Sequence, residues 1–268
     1  MTDISELNGR GLVLVGCGRM GGALLGGWLK SGLAPGAVHV VDPNPRGDLA
    51  ALGVSVNGEL PESPAVLVIA VKPQMMADVL PRLDVGADTL VVSVAAGVTL
   101  AAYEAAFPGA AIVRTMPNTP AAIGQGITAI VGNARADEGD LALAGALMSA
   151  VGRVVRLADE GQMDAVTALS GSGPAYVFHM IEAMAAAGEA EGLSPELALE
   201  LARATVAGAG ALAVAEDEDP ATLRENVTSP GGTTAAGLRQ LMDPETGLPP
   251  LMRRTIAAAA ERGRELGK

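Results

Sequence analysis

Cysteine is almost missing from this chain of 268 residues: Cys17 is the only one. That excludes an intrachain disulfide and a thiolate metal cluster. Aromatic residues are nearly as scarce, with one tryptophan, two tyrosines and two phenylalanines, and the net charge is −12. So few rings offer little for bases to stack on, and the acidic balance leaves no basic stripe for phosphates, which excludes a nucleic-acid partner. Three lysines stand against fifteen arginines, which we take as background bias. The first residues, Met-Thr-Asp-Ile-Ser-Glu, lack the basic and apolar stretches of a secretory signal. No apolar run approaches membrane-spanning length, the longest strand-like one being Ala65 to Val71. A soluble, cytoplasmic protein with no membrane contact and no metal site is the expectation. At 49% hydrophobic and 18% charged, the chain can still bury a sizeable core.

Glycine, in contrast, is abundant, with 35 residues, and the informative ones lie near the start. Leu12-Val13-Leu14-Val15 reads as a strand buried on both faces. Gly16-Cys17-Gly18-Arg19-Met20-Gly21 follows, then an amphipathic run from Ala23 to Leu29. Strand, Gly-x-Gly-x-x-Gly and helix in that order make a dinucleotide-binding turn. Gly16 permits the tight turn, Gly18 leaves the backbone open to a pyrophosphate, and Gly21 lets the helix approach the strand. The helix N-terminus adds unpaired N–H groups and a positive dipole end. Asp42 closes the next apolar run about 20 residues past Gly21, where a ribose-binding acid belongs. Cys17, between two of these glycines, suits a small apolar residue rather than a redox centre.

Val38–Val41, Ala65–Val71, Thr89–Val94, Ala111–Arg114, Ile127–Val131 and Val154–Leu157 read as further strands. Helical runs alternate with them: Arg46–Leu52, Gln74–Leu83, Thr99–Phe107 with Thr99 as N-cap, and Glu138–Val151. Alternation of this kind implies a parallel, doubly wound Rossmann-type sheet. From Gln162 onward no convincing strand appears. Helices are expected from Met163 to Glu191 with a break at Ser170–Pro174, then after Ser194-Pro195, after Asp219-Pro220, from Thr233 or Thr234, and from Pro249 or Pro250. The fold class is therefore α/β, with a dinucleotide-binding domain over 1–161 and an all-α domain over 162–268. The helical half is rich in small residues, such as Ala207-Gly208-Ala209-Gly210-Ala211, and needs a partner to complete its core. Glu216-Asp217-Glu218-Asp219 reads as a solvated loop.

Four more loops carry chemistry. Ala70-Val71-Lys72-Pro73 and Met116-Pro117-Asn118-Thr119-Pro120 lie at carboxyl ends of strands, where open α/β sheets bind ligands. Ser170-Gly171-Ser172-Gly173-Pro174-Ala175-Tyr176 and Thr228-Ser229-Pro230-Gly231-Gly232-Thr233-Thr234 lie in the helical half. In the last, a Gly-Gly turn running into a helix makes a nest of N–H donors beside several hydroxyls, suited to a small carboxylate. His39 and His179, in an expected strand and helix, belong to none of these loops and read as structural.

These motifs together resemble the pyrroline-5-carboxylate reductases, over nearly the whole chain. Ala-Val-Lys-Pro at Ala70, Ala-Ala-Gly-Val-Thr at Ala95, Asn-Thr-Pro at Asn118, Leu-Ser-Gly-Ser-Gly-Pro-Ala-Tyr at Leu169 and Asn226-Val227-Thr228-Ser229-Pro230-Gly231-Gly232-Thr233-Thr234 carry the resemblance. It implies hydride transfer from NAD(P)H to the C=N bond of 1-pyrroline-5-carboxylate, giving L-proline. Gly16, Cys17, Gly18, Arg19, Met20 and Gly21 would hold the pyrophosphate. Asn57, Ala70, Val71, Lys72, Pro73, Val94 and Ala96 would line the cofactor, with Asn118 near the nicotinamide. Ser229, Gly231, Gly232 and Thr233 would hold the substrate carboxylate and Thr234 the ring nitrogen, with Asn226 and Glu160 nearby. Lys72 we read as part of a turn whose backbone meets the cofactor. The family more often uses NADPH and has a small polar residue where this chain has Asp42, which favours a ribose hydroxyl over a 2′-phosphate. Arg46 would offset that repulsion, so NADPH with NADH also used is the expectation. The resemblance further implies an interlocked homodimer, with assembly to a decamer open.

Two other readings fit less of the chain. A hydroxyacid dehydrogenase of similar plan places a lysine on the first long helix after the sheet, yet Met163 to Glu191 contains none. A non-catalytic dinucleotide sensor has no use for the Ser-Pro-Gly-Gly-Thr-Thr nest.

Overall fold

The computed structural model describes residues 4, 7–45, 49–86 and 88–267. Arg46 lies outside the described residues. Within them, the helix expected over Arg46–Leu52 is a single 3-10 turn, Ala50–Leu52. The chain divides into two compact units: residues 1–171 with 259–268, and residues 172–258. The division thus falls about ten residues beyond the expected one at 161, and the C-terminal end is grouped with the first unit.

The first unit is built on eight strands: β1 (Leu12–Val15), β2 (Val38–Val41), β3 (Ser55–Val56), β4 (Val66–Ile69), β5 (Leu90–Ser93), β6 (Ile112–Met116), β7 (Gly126–Gly132) and β8 (Gly152–Arg156). They are ordered β3-β2-β1-β4-β5-β6-β7-β8. β3 to β6 pair in parallel throughout, the doubly wound order in which the topology switches between β1 and β4. The expectation of an all-parallel sheet fails at one place: β6 and β7 are antiparallel. Only Pro117–Gln125 joins them, mostly as a 3-10 turn at Thr119–Ile123, and a parallel return needs a crossover of a dozen residues or more.

The apolar runs fold as strands because helices cover both sheet faces. Alternate residues of β1 enter different cores. Leu12 and Leu14 pack with Leu24, Leu25 and Trp28, while Val13 and Val15 pack with Met76, Tyr103 and Ile112. After α1 (Leu7–Arg10), α2 (Arg19–Lys30) covers the first face, where the buried Trp28 donates its indole N–H to Leu147 O at 2.9 Å. The helix expected over Gln74–Leu83 breaks into a 3-10 turn, α3 (Met76–Val79) and a second 3-10 turn containing Pro81. A proline inside a helix removes a donor and clashes with the preceding turn. α4 (Leu100–Ala106) is capped by Thr99 as expected, and α5 (Glu138–Ser149) by a capping box between Asp137 and Asp140. α6 (Met163–Val166) leads into a π-helical turn, Thr167–Gly171.

The second unit is helical: α7 (Gly173–Ala190), α8 (Pro195–Ala215), α9 (Pro220–Asn226), α10 (Thr233–Leu241) and the first part of α11 (Leu248–Leu266). Ser194 and Asp219 cap α8 and α9 ahead of a first-turn proline, as the sequence predicts. The buried cluster here, among the described residues, is small: Ala185, Ala198 and Ala202, with Ile181 and Leu199 against them. One expectation is corrected: α8 is long and apolar enough to cross a membrane by length and composition. Eight of its 21 residues are alanine, so a helix without a bulky apolar run still reaches that hydropathy.

Two glycines give opposite expectations for alanine. Gly152 has φ +149° and an added Cβ would lie 2.0 Å from Gly126 O. Gly26, inside α2, has nothing within 4 Å of that position. Gly152→Ala should lower the unfolding free energy by ~3 kcal/mol or more. Gly26→Ala should raise it by ~0.5–1 kcal/mol. Urea unfolding followed by circular dichroism measures both, and shifts of the same sign would contradict this account.

Candidate active site

The cofactor-side candidates fall in the first unit, along the carboxyl ends of β1 to β6. Ladder bonds run into these loops: Gly16 N–H donates to Val41 O (2.8 Å), Ala70 N–H to Val15 O (2.7 Å) and Val94 N–H to Ile69 O (3.0 Å). The glycine turn meets the loop after β4 at the switch point. A Cβ on Gly16, whose φ is +90°, would lie 2.8 Å from Ala70 O and 2.9 Å from Val71 Cγ1. A Cβ on Gly21 would lie 2.2 Å from Gly16 O. Gly18 differs, because no protein atom lies within 4 Å of where its Cβ would be. It is exposed at the N-cap of α2, and no side chain caps that helix. The first N–H groups of α2 therefore open onto free space beside Gly18, Arg19 and Met20, which fits a phosphate.

Asp42 and Asn57 brace this turn. Asp42 Oδ2 accepts the Cys17 N–H at 2.6 Å and its Oδ1 accepts the Asn44 N–H at 2.8 Å. Asn57, at φ +50°, accepts the Asp42 N–H on Oδ1 (3.0 Å) and donates from Nδ2 to Asp42 O (2.8 Å). Lys72 is exposed just before the 3-10 turn Pro73–Met75 and makes no side-chain hydrogen bond among the described residues. Val94 and Ala96 are half-buried in the loop after β5.

Asn118 is held from two sides. Its Oδ1 accepts the Ile127 N–H at 3.0 Å, and its Nδ2 donates to Ser170 O of the π-helical turn at 3.3 Å. Glu160 is likewise engaged: Oε1 accepts from Arg114 at 2.6 Å and from the Leu100 N–H at 2.8 Å. The Arg114 side chain is 5% exposed and that of Glu160 27%. They line a cavity of about 360 Å³ with Gly97, Thr99, Asp164 and Arg264.

The substrate-side candidates, apart from Glu160, fall in the second unit. Asn226 ends α9 and donates from Nδ2 to Glu218 Oε2 at 2.9 Å. Gly231 has φ +72°, and Gly232 N–H closes the turn onto Ser229 O at 3.1 Å. A Cβ on Gly232 would lie 2.5 Å from Ser229 Oγ. Gly232 is the N-cap of α10 and no side chain caps that helix either. Ser229, Thr233 and Thr234 are exposed. The threonines open the helix without capping it, and neither hydroxyl is hydrogen-bonded among the described residues.

Sequence reasoning missed three arrangements: the Arg114–Glu160 pair, the π-helical turn behind Asn118, and a buried hydroxyl pair, Ser93 with Tyr103. The first had a signal, since a cation in the middle of an apolar strand demands a partner. Glu160→Gln should destabilise the protein by ~1–3 kcal/mol by leaving the buried Arg114 guanidinium without its charged acceptor. The double variant Arg114→Met/Glu160→Gln should recover most of that loss in chemical unfolding.

Residues 160–266 match the family model described as pyrroline-5-carboxylate reductase dimerisation. Residues 12–97 match the one described as NADP oxidoreductase, coenzyme F420-dependent. The chain is 40% identical to the pyrroline-5-carboxylate reductase of Methanosarcina acetivorans, over 95% of this chain and 97% of that protein. It is 38% identical to that of Pseudomonas aeruginosa, over 96% and 97%. The solved pyrroline-5-carboxylate reductase of Coxiella burnetii has a TM-score of 0.88 at 33% identity, covering 97% of this chain and 99% of that one. The Plasmodium falciparum pyrroline carboxylate reductase, solved with NADP bound, has a TM-score of 0.83 at 27% identity over 97% and 99%. Similarity of this extent, reaching from the glycine turn through the Ser229–Thr234 turn, shows that the chain belongs to the pyrroline-5-carboxylate reductase family.

Proposed function

We propose that this protein reduces 1-pyrroline-5-carboxylate to L-proline in the cytoplasm, with NADPH as reductant and NADH also accepted. The observation that carries this reading is the pairing, in one chain, of two uncapped helix N-termini of complementary use. The α2 end is set behind an open Gly18 and suits a pyrophosphate, and the α10 end is flanked by free hydroxyls and suits a small carboxylate. NADPH, when bound, supplies the hydride. Gly16 to Gly21 would hold its pyrophosphate, Asp42 and Asn57 its adenosine end with Arg46 offsetting the charge of a 2′-phosphate, and Ala70 to Pro73, Val94 and Ala96 would line its length. Asn118, fixed through both its amide atoms, orients the loop beside the nicotinamide.

Ser229, Gly231, Gly232 and Thr233 hold the substrate carboxylate, while Thr234 orients the ring nitrogen. Glu160 and Asn226 act at one remove, since each side chain is engaged by a neighbour in the chain. Reduction adds one hydride to the imine carbon and one proton to the nitrogen. A threonine hydroxyl is a poor acid, so Thr234 relays that proton from water rather than generating it. Rate enhancement comes from positioning, which supplies ~7–11 kcal/mol in favourable cases. No metal takes part in this scheme.

The reading includes a homodimer, with assembly of such dimers to a decamer open. Leu197, Leu201 and Leu212 of α8 are each more than two-fifths exposed. At ~100° per residue they fall on one stripe of the helix. A second copy of the chain covering that stripe accounts for it without a membrane.

Oxidation of NADPH by the purified protein in the presence of 1-pyrroline-5-carboxylate, with proline identified as product, tests the activity. No turnover with either nicotinamide cofactor would sink it. Thr234→Val should lower kcat by a factor corresponding to ~1–3 kcal/mol with cofactor affinity unchanged, and Thr234→Ser should regain much of it. A valine variant as fast as wild type would reduce Thr234 to a helix-starting residue. Leu201→Asp should shift the mass measured by light scattering from dimer toward monomer; an unchanged mass would place the interface elsewhere.

A further inference from the structure

Ser93 ends β5 with its side chain fully buried, and its hydroxyl is hydrogen-bonded to the phenolic oxygen of Tyr103 on α4, itself 0% exposed. Two more groups converge on Ser93. Ala95 N–H donates to Ser93 Oγ at 3.2 Å, and Thr115 Oγ1 on β6 donates to Ser93 O at 2.9 Å. Beyond the ring, Tyr103 Oη reaches Met76 Sδ at 4.0 Å. Each hydroxyl has one proton to give. The arrangement that uses every proton runs in one direction: Ala95 N–H to Ser93 Oγ, Ser93 O–H to Tyr103 Oη, Tyr103 O–H to Met76 Sδ. Burial pushes the Tyr103 phenol up to about 12, so its proton is present at any working pH.

The ends of this chain of bonds matter more than its middle. Ala95 lies between Val94 and Ala96, in the loop after β5. Met76 begins α3, directly after the Ala70–Pro73 loop and the 3-10 turn that follows β4. Both loops stand at carboxyl ends of neighbouring parallel strands, next to the switch point where such sheets take a ligand. A phenylalanine would fill the same space without bringing a polar atom that must be satisfied in an apolar core. We propose that Ser93 and Tyr103 are positioning residues, setting the separation of the two loops that flank the dinucleotide. This rests on the function proposed above, in which those loops line NADPH.

The test is Tyr103→Phe, Ser93→Ala and the double variant. NADPH dissociation constants are read by calorimetry, KM and kcat with 1-pyrroline-5-carboxylate by turnover, and Tm by thermal unfolding. Each single variant should weaken NADPH binding by about three- to tenfold, the range of one lost hydrogen bond, while the KM for the imine moves less than twofold. The double variant should bind no worse than the weaker single one, because both changes break one chain. A fall in Tm with unchanged NADPH affinity in the singles would make the pair core packing and overturn the proposal. So would losses that multiply in the double variant. Should Tyr103→Phe fail to fold, Ser93→Ala alone carries the same comparison. Absence of both NADPH and NADH binding by the wild-type protein would overturn the proposed function itself, and wild-type binding matched by every variant would overturn the positioning role alone.

Discussion

The close approach of Gly16 to the Ala70 carbonyl governs the arrangement of the first unit. The chain leaving β1 turns at the point where the sheet order switches to β4. A Cβ there would come within 2.8 Å of main-chain oxygen on a neighbouring strand's exit. The next constraint follows directly, because α2 begins so near the turn that a Cβ on Gly21 would press on Gly16 O at 2.2 Å. Those two glycines are required by protein atoms. Gly18 is not, and its open surroundings are what a pyrophosphate against the helix N-terminus needs. One spacing motif thus contains two different physical requirements, separable by substitution.

Asp42 extends the same logic outward. A carboxylate at the end of β2 is usually read for its effect on the ribose. Here both of its oxygens already take main-chain N–H groups, one from the glycine turn and one from Asn44. An ionised carboxylate has about four lone-pair directions, so two accepted bonds leave room for a ribose hydroxyl. In the proposed site, the turn and the adenosine end are then mechanically one piece. Asn57 completes it by clasping the Asp42 backbone with both amide atoms, at the cost of a left-handed conformation that asparagine tolerates better than most residues.

Much of this was readable from the residues, and the exceptions have physical causes. Leu12–Val15 and Val66–Ile69 announce strands buried on both faces because every position is apolar. β3 escaped because two residues, Ser55 and Val56, form no run. The direction of β7 escaped because Ile127–Val131 reads the same from either end, and only the short link Pro117–Gln125 betrays the reversal. Pro81 should have warned against a helix to Leu83. At the candidate site, glycine spacing and the Ser229–Thr234 turn are local in sequence and so were legible. The Arg114–Glu160 pair, the Asn118–Ser170 bond and the Ser93–Tyr103–Met76 chain join residues brought near only by the fold. No local pattern encodes which partner a buried arginine or tyrosine will find.

The second unit poses the sharpest choice of environment, since α8 has the length and composition of a membrane span. Its side chains are not uniform around the helix. A spanning helix is apolar all round, whereas α8 carries Glu196, Glu200 and Arg203 in its first half. At ~100° per residue these three fall within ~60° of one another, centred ~120° round the helix from the stripe of Leu197, Leu201 and Leu212. Polar on one side and apolar on the other, the helix fits a boundary between protein and water. The apolar stripe is bordered by alanine and glycine, as at Ala207 to Ala211, which let another helix come close enough for its larger side chains to fill the gap. With three alanines at the centre of its own buried cluster, this unit has little core to offer alone. Its exposed leucines are the half-core that the second copy in the proposed dimer would complete.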